Sequence, residues 1–346
     1  MPDSAILSTA VGELDTPYLE LIDALRIAPR ASWAELSAVL ATPASTLRRR
    51  YRRLIENNVM RMGVEFYSAA SASELSFVTI EADPAQREDV LDALCRIPEI
   101  VFVEDLLTVA DAACHTVTPT LRDLHVRTTP QLRAIPGIRR IHVLPVTTLH
   151  VTGAAWSDRV INPSQRHRLE RLGTDNEARR PQHPPSALER AGIGILARDA
   201  RVPISDFARR LDLSATTARR LLRGILSRDD VRIRLQTSPA YLGYPIVATF
   251  YCHCAGERTP DLAVFAREHL HARMAASVVG TVSFLFACYL THIGQTEQIQ
   301  RRLRQSFPDV TIGDVALSMR RRKDHGWIFD AHDRIVDHDD GFGMVW

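Results

Sequence analysis

Two short runs of this 346-residue chain gather cations on one side of a helix. Residues 44–56 have helical spacing, with Ala44, Leu47, Tyr51, Leu54 and Ile55 on the apolar side. The opposite side carries Ser45, Thr46, Arg48, Arg49, Arg52 and Arg53. Residues 215–226 repeat the arrangement, with Ala218, Leu221, Leu222 and Ile225 inward and Thr216, Thr217, Arg219, Arg220 and Arg223 outward. Hydroxyls near a helix start approach base edges or phosphates, and guanidinium groups further along reach phosphates or guanine edges. A solvated basic face is the plainer explanation of one such helix. Its recurrence after the same turn favours a surface for double-stranded DNA. The net charge is only +2, so any such surface comes from local clustering. Lys323 is the single lysine, which makes arginine the default cation here and leaves position to carry the inference.

Other chemistry is thinner. Cys95, Cys114, Cys252, Cys254 and Cys288 are odd in number and lie in apolar runs, the pattern of buried free thiols in a reducing, cytoplasmic setting. Cys252-His253-Cys254 sits in a strand-like alternation without a second cluster at ligand spacing, so no metal is expected. The acidic, His-bearing end from Asp330 reads as a surface tail, and Arg320-Arg321-Arg322-Lys323 as a solvated strand end. No apolar stretch approaches the ~20 residues of a membrane helix, and no nucleophile–base pair or phosphate loop stands out. The chain is therefore expected not to be an enzyme and to need no cofactor.

The elements that position the basic helices occur twice. Arg201 lies 171 positions after Arg30 (201 − 30), and Phe207, Leu211 and Ile225 follow Leu36, Leu40 and Leu54 at the same offset. Phe307-Pro308-Asp309-Val310 follows Ile135-Pro136-Gly137-Ile138 at 172 (307 − 135), so one insertion separates the halves. A period this long means duplicated domains, not a solenoid. Each copy opens with three short helices; Ser32 with Glu35 forms a capping-box pattern, and Thr42-Pro43 predicts an N-cap and first helical residue. Two helices joined by a tight turn make a helix-turn-helix, and Val59–Met62 and Val231–Arg234 read as its wing. Each copy then gives β-α-β-β-α-β, the order of a ferredoxin-like layer. The expected class is α+β: two winged helix-turn-helix domains alternating with two ferredoxin-like, ACT-like domains. The expected boundaries are 1–70, 71–152, a linker at 153–185, 186–240, 241–323 and a tail at 324–346.

In these features the chain resembles the Lrp/AsnC regulators, in duplicate. The resemblance rests on the helices around Arg30, on Ala208-Arg209-Arg210-Leu211-Asp212-Leu213-Ser214, on the β-α-β-β-α-β unit, and on the Pro136-Gly137 and Pro308-Asp309 junctions. It implies a DNA-binding transcription regulator responsive to an amino acid or related effector, and a homo-oligomer. The family's Gly-x-x-Asp turn is split here: Thr108-Val109-Ala110-Asp111 keeps the Asp and Gly280-Thr281-Val282-Ser283 keeps the Gly. Thr108, Asp111, Gly280, Thr281 and Ser283 are thus the candidate effector residues. A ligand-independent architectural DNA-binding protein stays open. So does a siroheme-type tetrapyrrole decarboxylase on the same architecture, which Arg61–Phe66 faintly resembles.

Overall fold

The computed structural model describes residues 14–66, 74–152, 160–173, 184–228 and 230–339. Its first three-helix unit comprises α1 (Thr16–Ile27), α2 (Trp33–Leu40) and α3 (Ala44–Glu56). Ser32 caps α2 with the reciprocal Glu35 bond that the sequence predicts. At α3 Pro43, rather than Thr42, is the capping residue, and the Thr42 hydroxyl instead donates to the Leu40 carbonyl. The turn between α2 and α3 is made by Ala41 in the left-handed region, φ 51°. Strand β1 (Met60–Phe66) follows.

The first α/β unit is β2 (Glu74–Ala82), α4 (Arg87–Cys95), β3 (Ile100–Leu106), β4 (Ala112–Thr118), α5 (Leu121–Asp123), a π turn, α6 (Thr129–Ala134) and β5 (Ile138–Val151). Helix α7 (Pro163–Gly173) lies between the copies and buries Leu169 in the core of the three-helix units. The second copy opens with α8 (Ala187–Arg198), α9 (Ile204–Arg210), α10 (Ala215–Leu226) and β6 (Val231–Thr237). Asp212, φ 53°, makes its turn at the position equivalent to Ala41. The second α/β unit is β7 (Ile246–His253), α11 (Thr259–His269), β8 (Ala272–Val278), β9 (Phe284–Leu290), α12 (Gln295–Ser306) and β10 (Thr311–Asp324). A hairpin, β11 (Trp327–Phe329) and β12 (Ile335–His338), ends the described chain.

The two halves of the chain meet through positions 171 residues apart. Strands β1 and β6 pair antiparallel, with Gly63 opposite Arg234, its own equivalent at offset 171 (234 − 63). The two strands expected as wings thus pair with each other. A side chain at Gly63 has no room: a Cβ there falls 2.0 Å from the Ala197 carbonyl oxygen of α8. Arg30 donates to the Ala200 carbonyl, and Arg201 to those of Pro29 (2.5 Å) and Ala31 (2.9 Å). Ala200 and Pro29 are themselves equivalent, so the two arginines make the same contact from opposite sides. One hydrophobic core runs through both three-helix units.

The two α/β units do not keep separate sheets. Eight strands run β10-β3-β4-β2-β5-β8-β9-β7 and close by pairing of β7 with β10, while β11 and β12 extend the edge. Closure pairs β7 and β3 with successive stretches of β10. Two crossings join the copies. At one, Val146 faces Val278 and Leu149 faces Ala276. At the other, Ser318 faces Leu106 and Arg321 faces Glu104, the same pairs displaced by 172. Both last strands, β5 and β10, are longer than the hydrophobic alternation predicts, because their extensions form these crossings. Helices pack outside the sheet over Val90, Leu91, Leu94 and Leu132 in one copy. In the other, Leu262, Ala266 and Leu303 do the same. Among the described residues no helix is long and apolar enough to cross a membrane.

Candidate functional sites

Each third helix presents its cations to solvent. On α3, Ser45, Arg48, Arg49 and Arg52 are exposed, and Thr46 and Arg53 are half-buried. On α10, Thr216, Arg219, Arg220 and Arg223 are exposed, while Thr217 is half-buried with its hydroxyl 3.0 Å from the Ser214 cap. The inner sides hold the helices in the shared core through Leu47 and Leu54, and through Ala218, Leu222 and Ile225. Gly224 has nothing near its would-be Cβ and replaces the cation found at Arg53. The two faces are thus alike in chemistry and unequal in charge.

The candidate effector residues lie on two equivalent turns at separate crossings. Thr108 clamps β10: its hydroxyl donates to the Val315 carbonyl (2.9 Å) and accepts from the Leu317 amide (3.0 Å). Asp111 accepts from the Ala82 amide (2.8 Å) and from Arg87 Nε (3.3 Å). Ser283 is tied to Cys254, donating to its carbonyl at 2.8 Å and accepting from its amide at 2.9 Å. Thr281 is exposed. Gly280 has φ 154°, a conformation other residues rarely adopt, and a Cβ there would also press on Leu144 Cδ2.

A second constellation, inside the closed sheet, went unseen in the sequence. Arg273 on β8 is 6% exposed and lies 5.3 Å from each of the Phe102 and Tyr289 rings. Its nearest carboxylate is that of buried Glu104, at 3.8 Å. Arg321 on β10 pairs with Asp324 (2.6 Å), donates to the Tyr289 hydroxyl (3.3 Å) and covers Phe102. His115 on β4 stacks on Phe102 at 4.5 Å. Burial pushes the Glu104 carboxyl up despite both arginines. Burial, with Arg273 adding to it, holds His115 well below its usual value and therefore neutral. Burial alone would raise the Tyr289 phenol, but Arg321 and Arg273 outweigh it and bring it below the ordinary value. Asp324 leads outward: His325 Nδ1 lies 2.5 Å from it and 3.6 Å from Glu65, which pairs with Arg234 at 3.1 Å on the β1–β6 ribbon. The interior of the sheet is thus wired by charge to the strands that carry the three-helix units. Arg273 and Tyr289 were hidden because each stands alone in an apolar strand. Offset by 172 they correspond to Val101 and Val117, and that break in the repeat is the signal that would have found them.

The basic run Arg320–Lys323 is a correction. It is no solvated strand end: Arg321, Arg322 and Lys323 are buried. Arg322 reaches Asp105 (2.5 and 3.0 Å), Asp92 (3.0 Å) and Glu88 (2.6 Å), all in the first copy. Lys323 donates to the Cys95 and Ile97 carbonyls and to Asp339. The acidic end lies at the surface, with Ala331, His332, Arg334, Val336 and Asp337 exposed, and β11 and β12 bury Trp327, Phe329 and Ile335 together; residues 340–346 lie outside the described residues.

Residues 75–153 match the family model of the Lrp/AsnC ligand binding domain. An uncharacterised HTH-type transcriptional regulator of Pyrococcus abyssi is 27% identical over 145 residues, 41% of this chain and 90% of that protein. A counterpart from Pyrococcus horikoshii is 24% identical over the same length, covering 92% of that protein. Among solved structures, the siroheme decarboxylase NirDL superposes with a TM-score of 0.59 at 11% identity, over 94% of this chain and 96% of its own. The expectation that the chain is not an enzyme is overturned by that match. An enzyme carries this fold from one end of the chain to the other, so the architecture gives no ground for excluding catalysis. Residues 75–153 are thus similar to an Lrp/AsnC ligand binding domain, the chain is similar to HTH-type regulators at low identity, and its overall fold resembles that of a decarboxylase.

Proposed function

We propose that the chain is a sequence-specific DNA-binding transcription regulator that holds two helix-turn-helix readers in one polypeptide. The observation that carries this reading is the pair α3 and α10, equivalent in the repeat and both exposing arginines behind hydroxyl residues at the helix start. The regulator homologues support it. Duplex DNA with two half-sites is the natural partner of two readers related by a two-fold. An amino acid or related effector acts at the turns bearing Thr108, Asp111, Gly280, Thr281 and Ser283, where each copy grips the last strand of the other. An effector there acts only through its difference in affinity between two arrangements of the copies. The readers are unequal, so the operator half-sites are unequal too. Footprints on a mapped operator test this: Arg48→Ala with Arg49→Ala erases more protection than Arg219→Ala with Arg220→Ala. Equal losses contradict it.

One observation favours a second reading, catalysis on a carboxylate-bearing tetrapyrrole in the manner the NirDL likeness suggests. Tyr289, acidified between two buried arginines, is the proton donor that decarboxylation requires. The C–C bond to the carboxylate breaks, CO2 leaves with the carboxyl carbon, and the electron pair left on the methylene carbon takes the phenol proton. Mixing the purified chain with iron-uroporphyrin III and recording the visible spectrum checks it. An unshifted Soret band at micromolar protein rules this reading out.

A further inference from the structure

We propose that the cleft between the end of α4, strand β10 and the β11–β12 hairpin binds a small dicarboxylate that also carries an ammonium group, the chemistry of an acidic amino acid. The cleft has a volume of about 400 Å³, within the range of small-molecule sites, about 300–1,000 Å³. Six charged side chains line it: Asp92, Arg96, Arg320, Arg322, Asp337 and Asp339. Three of them are engaged by the protein. Arg322 holds Asp92 at 3.0 Å, and Lys323 holds Asp339 at 2.7 Å.

The other three are not. Among the described residues the exposed Arg96 side chain has no hydrogen bond or ion pair. The Arg320 guanidinium makes no hydrogen bond; the Asp105 and Glu88 carboxylates stand 3.6 and 3.8 Å away, beyond hydrogen-bond length. The exposed Asp337 carboxylate meets only the neighbouring His338 amide, at 2.8 Å. Two guanidinium groups and one carboxylate call for two carboxylates and one ammonium on the ligand. A plain dicarboxylate would leave Asp337 facing a second anion, and a simple zwitterion would leave one guanidinium uncovered. Phe329 and Ile328, also on the wall, give apolar surface to a short methylene spacer. Arg96 belongs to the first copy, and Arg320 and Asp337 to the second, so the ligand bridges the copies beside the Arg322–Asp105 pair. At the offset of 172, Arg96 and Arg320 correspond to Glu268 and Thr148. Among the described residues no hairpin follows β5, where the chain continues into α7. The site therefore exists once per chain, apart from the turns bearing Thr108 and Gly280.

L-Glutamate is the probe, and glutarate, which lacks the ammonium, is its comparator. The full chain is titrated calorimetrically with each sodium salt at constant ionic strength, with chloride as balance. The expected result is a saturable heat with L-glutamate and a half-saturating concentration about tenfold higher with glutarate. Arg96→Gln should raise the half-saturating glutamate concentration about tenfold. Asp337→Asn should erase the preference for glutamate over glutarate. Both side chains are exposed, so both variants should melt like the parent, and the comparison of the two ligands on the parent needs neither. A parent without saturable heat overturns the site, as does equal affinity for the two ligands. So does an Arg96→Gln variant that binds glutamate like the parent, which would place the ligand elsewhere, or an Asp337→Asn variant that keeps the preference. These outcomes are independent of DNA binding and of tetrapyrrole turnover, either of which can fail while glutamate binding stands.

Discussion

Replacing Arg48, Arg49, Arg219 and Arg220 together by alanine is expected to weaken operator binding about a thousandfold while leaving the fold intact. At roughly 1 kcal/mol for each lost contact, the low end for a base-reading pair, four arginines account for about three decades. The four side chains are solvent-exposed and lie away from the shared core that Leu47, Leu54, Leu222 and Ile225 build. Exposed substitutions of this kind change stability by about 0.5 kcal/mol or less, and alanine is the best helix former. Loss of binding with an unchanged melting temperature therefore separates a reading role from a structural one. Salt provides the second readout. Each phosphate contact contributes about 0.9 to the slope of log affinity against log salt. If all four arginines touch phosphate, the variant's slope is shallower by about 3 to 4. An unchanged slope with a thousandfold loss places them on base edges instead. Parent-like affinity would remove α3 and α10 from the interface.

How the fold was legible follows from what each signal measures. Helical spacing around Leu36, Leu47 and Leu54 is local, and it located both three-helix units. The offset of 171 to 172 pointed to a repeat. Neither reports how the copies meet. The pairing of β1 with β6 and the closure of the sheet depend on partners about 60 to 220 positions away, and alternation within one strand does not see them. Arg320–Lys323 show the consequence. A run of four cations reads as solvated on any local criterion, because burying a charge without a partner is prohibitive. The partners exist in the other copy: Glu104 and Asp105 stand where the second copy has Ala276 and Ser277, and Arg320 and Arg321 where the first has Thr148 and Leu149. Acid gained on one strand and base gained on its crossing partner is a complementary change, readable only once the two repeats are aligned and their crossing is known. The interior cluster was hidden for the same reason, since Arg273 is one residue in a strand that otherwise reads as core. The exposed arginines of α3 and α10 needed no such knowledge, because they sit on single helices.

That complementary change makes one crossing ionic and the other neutral, and the two should respond differently to a single substitution. Arg322→Met is expected to lower the melting temperature by about 5 °C. Arg322 is 4% exposed and binds Asp105 through two bonds; Asp105 is 14% exposed, whereas Glu88 and Asp92 are 64% and 59% exposed. Only the Asp105 pair counts as buried, and the two exposed partners add little. Removing one member of a buried pair costs about 3 to 5 kcal/mol. Arg87 and Arg320, 3.8 and 3.6 Å from Asp105, soften the loss toward 2 or 3. At about 2 °C per kcal/mol for a large domain, the shift follows. Amide exchange should quicken at β3–β10 and stay unchanged at β5–β8, where Leu149 and Ala276 carry no charge. A double variant with Asp105→Leu should recover part of the loss, because it removes the carboxylate left without its main partner. Acid gives the same answer by another route. The hydrogen bond from Arg322 holds the Glu88 carboxyl below its usual value. A carboxylate lowered on folding contributes stability above its unfolded pKa, about 4.3, and loses it as pH falls through the folded value. The parent should therefore lose slightly more stability than the variant between pH 5 and pH 3, the difference being small because Glu88 is 64% exposed. Exchange that quickens equally at both crossings would show that the ionic crossing holds the two halves no more firmly than the neutral one.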